Sequence, residues 1–97
     1  MADLNAASRK KLYQVILNLN SIEECEQFFE DLCTIREITD MAQRLEAAVL
    51  LDQKVSYQAI AKQVGISTAT IGRVSKCLNY GAGGYRRILD KMQEEAE

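Results

Sequence analysis

The chain has 97 residues, of which 47% are hydrophobic and 27% are charged, a composition typical of one globular domain and not of a disordered segment. It contains no histidine, and its three cysteines form no CxxC pair. We therefore expect no catalytic residues, no metal site, no cofactor and no disulfide framework. The formal net charge of −2 argues, at first sight, against a nucleic-acid partner.

The chain has no run of 18 apolar residues, and no apolar block follows a basic amino terminus. We therefore expect neither a membrane span nor a secretion signal. The sequence predicts a cytoplasmic protein whose thiols are reduced.

Apolar residues recur at spacings of three and four along most of the chain, and no proline interrupts them. This pattern predicts an all-α fold of about six helices in a single domain over residues 1–97. The predicted helices cover residues 4–19, 22–33, 35–53, 57–64, 68–78 and 85–95. Four residues can cap helix starts: Ser21 and Thr34, each followed by a glutamate three positions later, and Ser56 and Ser67. The glycine-rich stretch 79–84 separates the last two helices.

Residues 57–74, YQAIAKQVGISTATIGRV, have the pattern of a helix-turn-helix unit. Such a unit needs a small residue where its helices cross and a residue that tolerates positive φ at the turn. Ala61 and Gly65 meet these two requirements. Apolar residues stand at the positions that must face the core, namely Ile60, Val64, Ile66, Ile71 and Val74. We therefore predict a helix-turn-helix at about residues 56–78.

The front of the second helix of this unit carries small and hydroxylic residues: Ser67, Thr68, Ala69, Thr70 and Gly72. Such a surface can lie close to base edges in the major groove, where threonine offers a hydroxyl and a methyl group. Short residues also serve simply to begin a helix, and Ser67 fits both roles. We predict that Ser67 to Thr70 approach the bases.

The predicted contacts to the DNA backbone come from both helices of the unit. Tyr57, Gln58 and Lys62 belong to the first helix. Arg73 and Lys76 follow the small residues of the second helix by about one turn, where they are placed for phosphate or guanine contact.

The acidic residues lie outside this unit. The segment from Gln53 to Leu89 has no Asp or Glu, and it contains six basic residues: Lys54, Lys62, Arg73, Lys76, Arg86 and Arg87. The net charge of −2 therefore divides into +6 for this segment and −8 for the remainder. A basic run is more often only a solvated face, but phosphate binding depends on the local patch. Because this patch coincides with the helix-turn-helix, we predict DNA binding.

The stretch VSYQAIAKQVGISTATIGRVSKCLN resembles the DNA-binding segment of the Trp repressor superfamily, and the preceding TIREITDMAQRLEAAVLL resembles its central helix. The later NYGAGGY resembles the YerC/YecD branch of Trp-repressor-related proteins. The resemblance implies an intertwined all-α homodimer whose two reading helices enter successive major grooves of a palindromic site, about 34 Å apart. It implies a transcriptional regulator, and a chain this small, with no evident activation surface, points to a repressor associated with the nucleoid.

The resemblance also implies candidate effector-binding residues, which are Thr34, Arg44, Arg73 and Cys77. In the tryptophan-sensing members the first three of these positions contact tryptophan, and a serine stands where this chain has Cys77. Val74 replaces a glycine and adds bulk near the space that the indole would fill. Cysteine is also a poor acceptor for an ammonium group. The resemblance thus implies an effector other than tryptophan, or none. Arg44 and Arg73 also fit as partners of Asp40, Glu46 or phosphate.

A second hypothesis belongs to another class of function. Helix-turn-helix units also serve as docking domains, so the chain could be a protein-interaction module without specific DNA binding, with its acidic second helix facing a partner. This alternative is favoured if Lys62, Arg73 and Lys76 are scattered over the surface or are paired within the fold.

Overall fold

The computed structural model describes the backbone of residues 2–96 and the side chains of residues 5–96. Within this part of the chain there are six helices and no strands, which confirms the predicted all-α fold. The helices are α1 (Ala2–Leu17), α2 (Ile22–Leu32), α3 (Ile35–Asp52), α4 (Tyr57–Ile60, continued by a π-helical turn at Ala61–Gly65), α5 (Thr68–Tyr80) and α6 (Gly84–Ala96).

Hydroxyl side chains begin α2 and α3, as the sequence predicts. The Ser21 hydroxyl accepts a hydrogen bond from the Glu24 amide at 3.1 Å. The Thr34 hydroxyl accepts from the Glu37 amide at 3.1 Å, and the Glu37 carboxylate accepts from the Thr34 amide at 2.8 Å. These bonds satisfy amide donors that have no partner inside the helix, and each such cap is typically worth about 1 kcal/mol.

Helix ends differ from the predicted ends more than helix starts do. Helix α1 ends two residues earlier than predicted, where the Asn18 side-chain amide donates to the Gln14 carbonyl at 3.0 Å. Helix α5 runs two residues further than predicted, to Tyr80. The fourth helix widens into a π-helical turn over its last five residues. Apolar spacing does not reveal this widening, because residues four apart, such as Ile60 and Val64, share a side in either kind of helix.

The chain divides into two compact units, Met1–Ile38 and Thr39–Glu97. In the first unit, none of the side chains that the structure describes is buried. Its two phenylalanines, Phe28 and Phe29, are half-buried and pack edge to face with their ring centroids 5.5 Å apart.

The second unit has a hydrophobic core. Its buried residues are Ala47, Ala48, Ile60, Ile71, Val74 and Leu89, which α3, α4, α5 and α6 contribute. The two alanines are fully buried, so α3 contributes small side chains to this core. This core holds α4 and α5 in place.

Candidate nucleic-acid interface

The structure contains the two helices and the turn that a helix-turn-helix requires. Gly65 has a φ of +81°, a conformation that residues with a Cβ rarely adopt, so glycine is strongly favoured at the turn. The five apolar residues predicted to face the core do so. Ile60, Ile71 and Val74 are buried, while Val64 and Ile66 are half-buried against them. The unit is therefore anchored by its apolar face.

A side chain from α3 supports the turn. The Gln43 amide group donates a partly buried hydrogen bond to the Val64 carbonyl at 3.3 Å. Val64 lies near the end of the π-helical turn, where carbonyls lack partners inside the helix. Sequence reasoning missed Gln43, because it lies 21 residues away from the carbonyl that it caps.

The start of α5 is fixed by its own hydroxyl groups. The Ser67 hydroxyl accepts from the Thr70 amide at 3.1 Å, and it lies 3.0 Å from the Thr70 hydroxyl. Thr68 and Ala69 are exposed in the first turn, whereas Thr70 is half-buried. Ser67 therefore caps the helix. The hydroxyl of Thr68 can bind a partner, whereas the hydroxyls of Ser67 and Thr70 are partly used by their contact with each other.

One face of α5 points away from the core. Ala69, Arg73, Lys76 and Tyr80 recur at spacings of four, three and four, which places them opposite the buried residues of the same helix. All four are exposed, and we call them the outward face of α5. Sequence reasoning missed Tyr80, because it ended the helix at Leu78. Reading Gly81 as the stop signal would have included it.

The three cations proposed for phosphate contact remain available. Lys62, Arg73 and Lys76 are exposed, and none has an ion pair among residues 5–96. The three residues are therefore not paired within the described part of the fold, and such pairing would have favoured a protein-interaction module.

Of the six basic residues in this segment, Arg86 is paired within the fold. Its guanidinium binds the Asp52 carboxylate through two hydrogen bonds, at 2.8 and 2.9 Å, and also contacts Asp90 at 3.1 Å. The hydrogen bonds from Arg86 lower the pKa of Asp52, against a smaller opposing effect of burial. The pairing with Asp52 also raises the pKa of Arg86. The charge of Arg86 is thus neutralised within the fold.

The remaining predicted backbone contacts lie on the first helix of the unit. Tyr57 begins α4 and is 41% exposed, directly after the Ser56 cap, whose hydroxyl accepts from the Ala59 amide at 3.2 Å. Gln58 and Lys62 are exposed along the same helix and its π-helical turn.

The candidate effector residues are divided between the two units. Thr34 lies in the first unit, is exposed, and has its hydroxyl engaged in the α3 cap. Arg44, Arg73 and Cys77 lie in the second unit and are exposed. Neither arginine has an ion pair with a described residue, so the pairing of Arg44 with Asp40 or Glu46 is not seen.

Among residues 5–96, no group of three or more His, Cys, Asp or Glu side chains is arranged to hold a metal ion. None of the helices that the structure describes combines the length and the apolar character needed to cross a bilayer.

The chain is similar to known proteins over most of its length. The family model described as Trp repressor protein matches residues 7–93. The uncharacterized protein YerC of Bacillus subtilis (strain 168) is 50% identical over 84 residues, which cover 87% of this chain and 81% of that protein. A TrpR-like protein from Eubacterium eligens ATCC 27750 has a crystal structure that superposes with a TM-score of 0.89, at 42% identity, over 96% of both chains. A Trp repressor candidate from Staphylococcus aureus superposes with a TM-score of 0.86, at 45% identity, over 90% of this chain and 87% of that one.

Proposed function

Because the chain belongs to the Trp repressor family, a family of DNA-binding regulators and not of enzymes, we propose that it is a transcriptional repressor that binds a palindromic site as a homodimer. In each half-site α5 enters the major groove. The observation that carries this proposal is the outward face of α5, where Arg73 and Lys76 are exposed without ion pairs among the described residues. The opposite face of the same helix is buried in the core, so the helix presents its cations in a fixed orientation.

In this proposal the first turn of α5 contacts the bases. Ser67, Thr68, Ala69 and Thr70 are short enough for the helix backbone to come close to the base edges. Since Thr70 is half-buried and paired with the Ser67 hydroxyl, its threonine methyl is the group that we expect to select bases.

Backbone contacts position this turn on the duplex. Tyr57, Gln58 and Lys62 reach the phosphates from the first helix of the unit, and Arg73 and Lys76 reach them from α5. Contacts of this kind provide affinity without sequence preference, and the lysine and arginine contacts make that affinity depend on salt.

The homodimer is supported by the first unit, where many large apolar side chains lie on the surface. Leu17 is 83% exposed, Ile22 is 78% exposed and Ile35 is 81% exposed. Exposed apolar residues scattered singly are ordinary, but here a unit with two long helices buries none of its described side chains. A second copy that covers these residues would complete a core, and in this proposal residues 1–97 act as one domain within that dimer, at the nucleoid in the cytoplasm.

The effector in this proposal is not tryptophan. Val74 is 2% exposed and fills its position with a packed side chain, where the tryptophan-sensing members have a glycine. The candidate residues for an effector of other chemistry remain those that the resemblance implies, namely Thr34, Arg44, Arg73 and Cys77.

The proposal is tested by binding the purified protein to random genomic fragments and sequencing those that it retains. We expect enrichment of a palindrome whose half-sites are one helical turn apart. Absence of enrichment at low salt would overturn specific DNA binding and leave the protein-interaction module as the better description. Repeating the selection with a panel of small metabolites identifies an effector, and with tryptophan we expect no change in affinity.

A further inference from the structure

Tyr80 is the most exposed of the large apolar side chains that the structure describes, at 85%. It lies in the last turn of α5 and has no hydrogen bond or ring contact among residues 5–96. An aromatic ring left in water on a rigid helix is a feature that binding surfaces commonly use.

The position of Tyr80 is fixed by the residue that follows it. Gly81 ends α5, and its amide donates to the Cys77 carbonyl at 2.9 Å. A Cβ at residue 81 would overlap the Cys77 carbonyl oxygen, so only glycine fits this close approach. Tyr80 is therefore held in the final helical turn.

The direction of Tyr80 follows from the outward face of α5. At a rise of about 1.5 Å per residue, Tyr80 lies about 16 Å beyond Ala69 and about 6 Å beyond Lys76 along the helix axis. A reading helix puts its amino-terminal residues at the base edges, so its last turn lies toward the sugar-phosphate backbone.

We propose that Tyr80 contacts the DNA backbone by donating its phenolic O–H to a phosphate oxygen, next to the phosphate bound by Lys76. This inference rests on the proposed DNA binding and adds a neutral contact to it. A tyrosine hydroxyl is a suitable phosphate donor, and its ring can lie against a sugar.

The test compares Tyr80→Phe and Tyr80→Ala with the wild type on the enriched DNA and on random DNA, over a range of salt. We expect Tyr80→Phe to weaken binding about fivefold on both DNAs, the size expected from one hydrogen bond. The salt dependence stays unchanged because a phenol releases no counterion, whereas Lys76→Ala reduces the salt slope by about one. Tyr13→Phe is the matched control, since Tyr13 is also exposed, lies in α1 outside the helix-turn-helix, and keeps in this change the apolar ring that a second copy would cover.

Several outcomes would overturn the inference. If both Tyr80 variants bind DNA within twofold of the wild type, Tyr80 makes no contact with DNA. If Tyr13→Phe weakens DNA binding as much as Tyr80→Phe does, the loss is not specific to position 80. A Tyr80→Ala protein that dissociates into monomers in sedimentation would assign the ring to a subunit interface instead. If the wild type itself shows no salt-dependent DNA binding, the proposed function fails, and this inference fails with it. If the wild type binds DNA and the Tyr80 variants bind equally well, only this inference fails.

Discussion

Gly72 is a glycine that the fold itself does not require. It lies inside α5, its φ is not positive, and a Cβ there would meet no atom within 4 Å. Glycine in a helix interior costs about 1 kcal/mol relative to alanine. A residue that lowers stability without a structural reason is consistent with a surface that something outside the chain approaches.

Gly72→Ala is therefore expected to have two effects of opposite sign. The free energy of unfolding rises by about 1 kcal/mol, because the helix gains a better helix former in open space. Affinity for DNA falls, because a methyl group is added to the small-residue front of α5. Urea unfolding and DNA titration of the same preparation measure the two effects, at matched protein concentration.

Gly65→Ala is the matched control for this change. Residue 65 also has open space around a Cβ, but its φ of +81° is unfavourable for alanine. We expect the free energy of unfolding to fall by about 1–2 kcal/mol. A stabilised Gly72→Ala protein that binds DNA as tightly as the wild type would show that no ligand approaches this position.

Single residues differ in how far the sequence predicts them. Gly65 was predictable, because a turn between two helices needs a residue that tolerates positive φ. The pairing of Arg86 with Asp90 follows from their spacing of four, but its pairing with Asp52 joins residues 34 positions apart. Such long-range partners depend on how the helices pack, which local patterns do not contain.

Among the helices, α2 and α3 begin where a hydroxyl side chain can cap them. Starts were predictable because the cap and the glutamate three residues later are local in sequence. Ends were less predictable: α5 continues through Asn79, whose side-chain amide bonds the Ser75 carbonyl at 3.0 Å instead of stopping the helix. The π-helical turn was not predicted, because it leaves the apolar spacing unchanged.

Thr34 has a structural role in the cap of α3, and this role can be tested separately from a role in effector binding. Thr34→Ala removes the hydroxyl that accepts from Glu37, and we expect the free energy of unfolding to fall by about 1 kcal/mol. Ser21→Ala removes the equivalent group at α2 and is expected to cost a similar amount. Both are measured by urea unfolding without any effector present. A Thr34→Ala protein as stable as the wild type would mean that the hydroxyl is retained for another reason.

For the whole molecule, the uneven distribution of charge was predictable from the sequence, while its neutralisation at Arg86 was not. The ion pair of Arg86 and Asp52 joins the end of α3 to α6 within the second unit. Because the pKa of Asp52 is lowered from its ordinary value of 3.8, the stability that the pair provides is present above that value. It is lost as the pH falls through the lowered folded-state pKa.

Asp52→Asn is expected to lower stability near neutral pH, and the difference from the wild type should disappear as the pH falls through the lowered pKa of Asp52. High salt should narrow the difference as well, since both groups are partly exposed. Chemical unfolding at a series of pH values measures it. Asp31→Asn, which changes an exposed carboxylate in α2, is the control. A pH-independent gap between wild type and Asp52→Asn would exclude the charge of Asp52 as its cause.

The first unit gives the sharpest test of the dimer, because a monomer and a dimer predict different results for the same change. Leu17 and Ile22 are both more than three-quarters exposed in the single chain, so in a monomer their truncation to alanine changes stability by less than about 0.5 kcal/mol. In a dimer that buries them, each truncation removes apolar area from the interface, and the dissociation constant of the Leu17→Ala, Ile22→Ala double variant rises at least about tenfold. Sedimentation across a concentration series measures this constant, with the exposed Lys10→Ala on α1 as the control. A wild type that is monomeric at every concentration, or a double variant that associates as tightly as the wild type, would contradict a shared core at these residues.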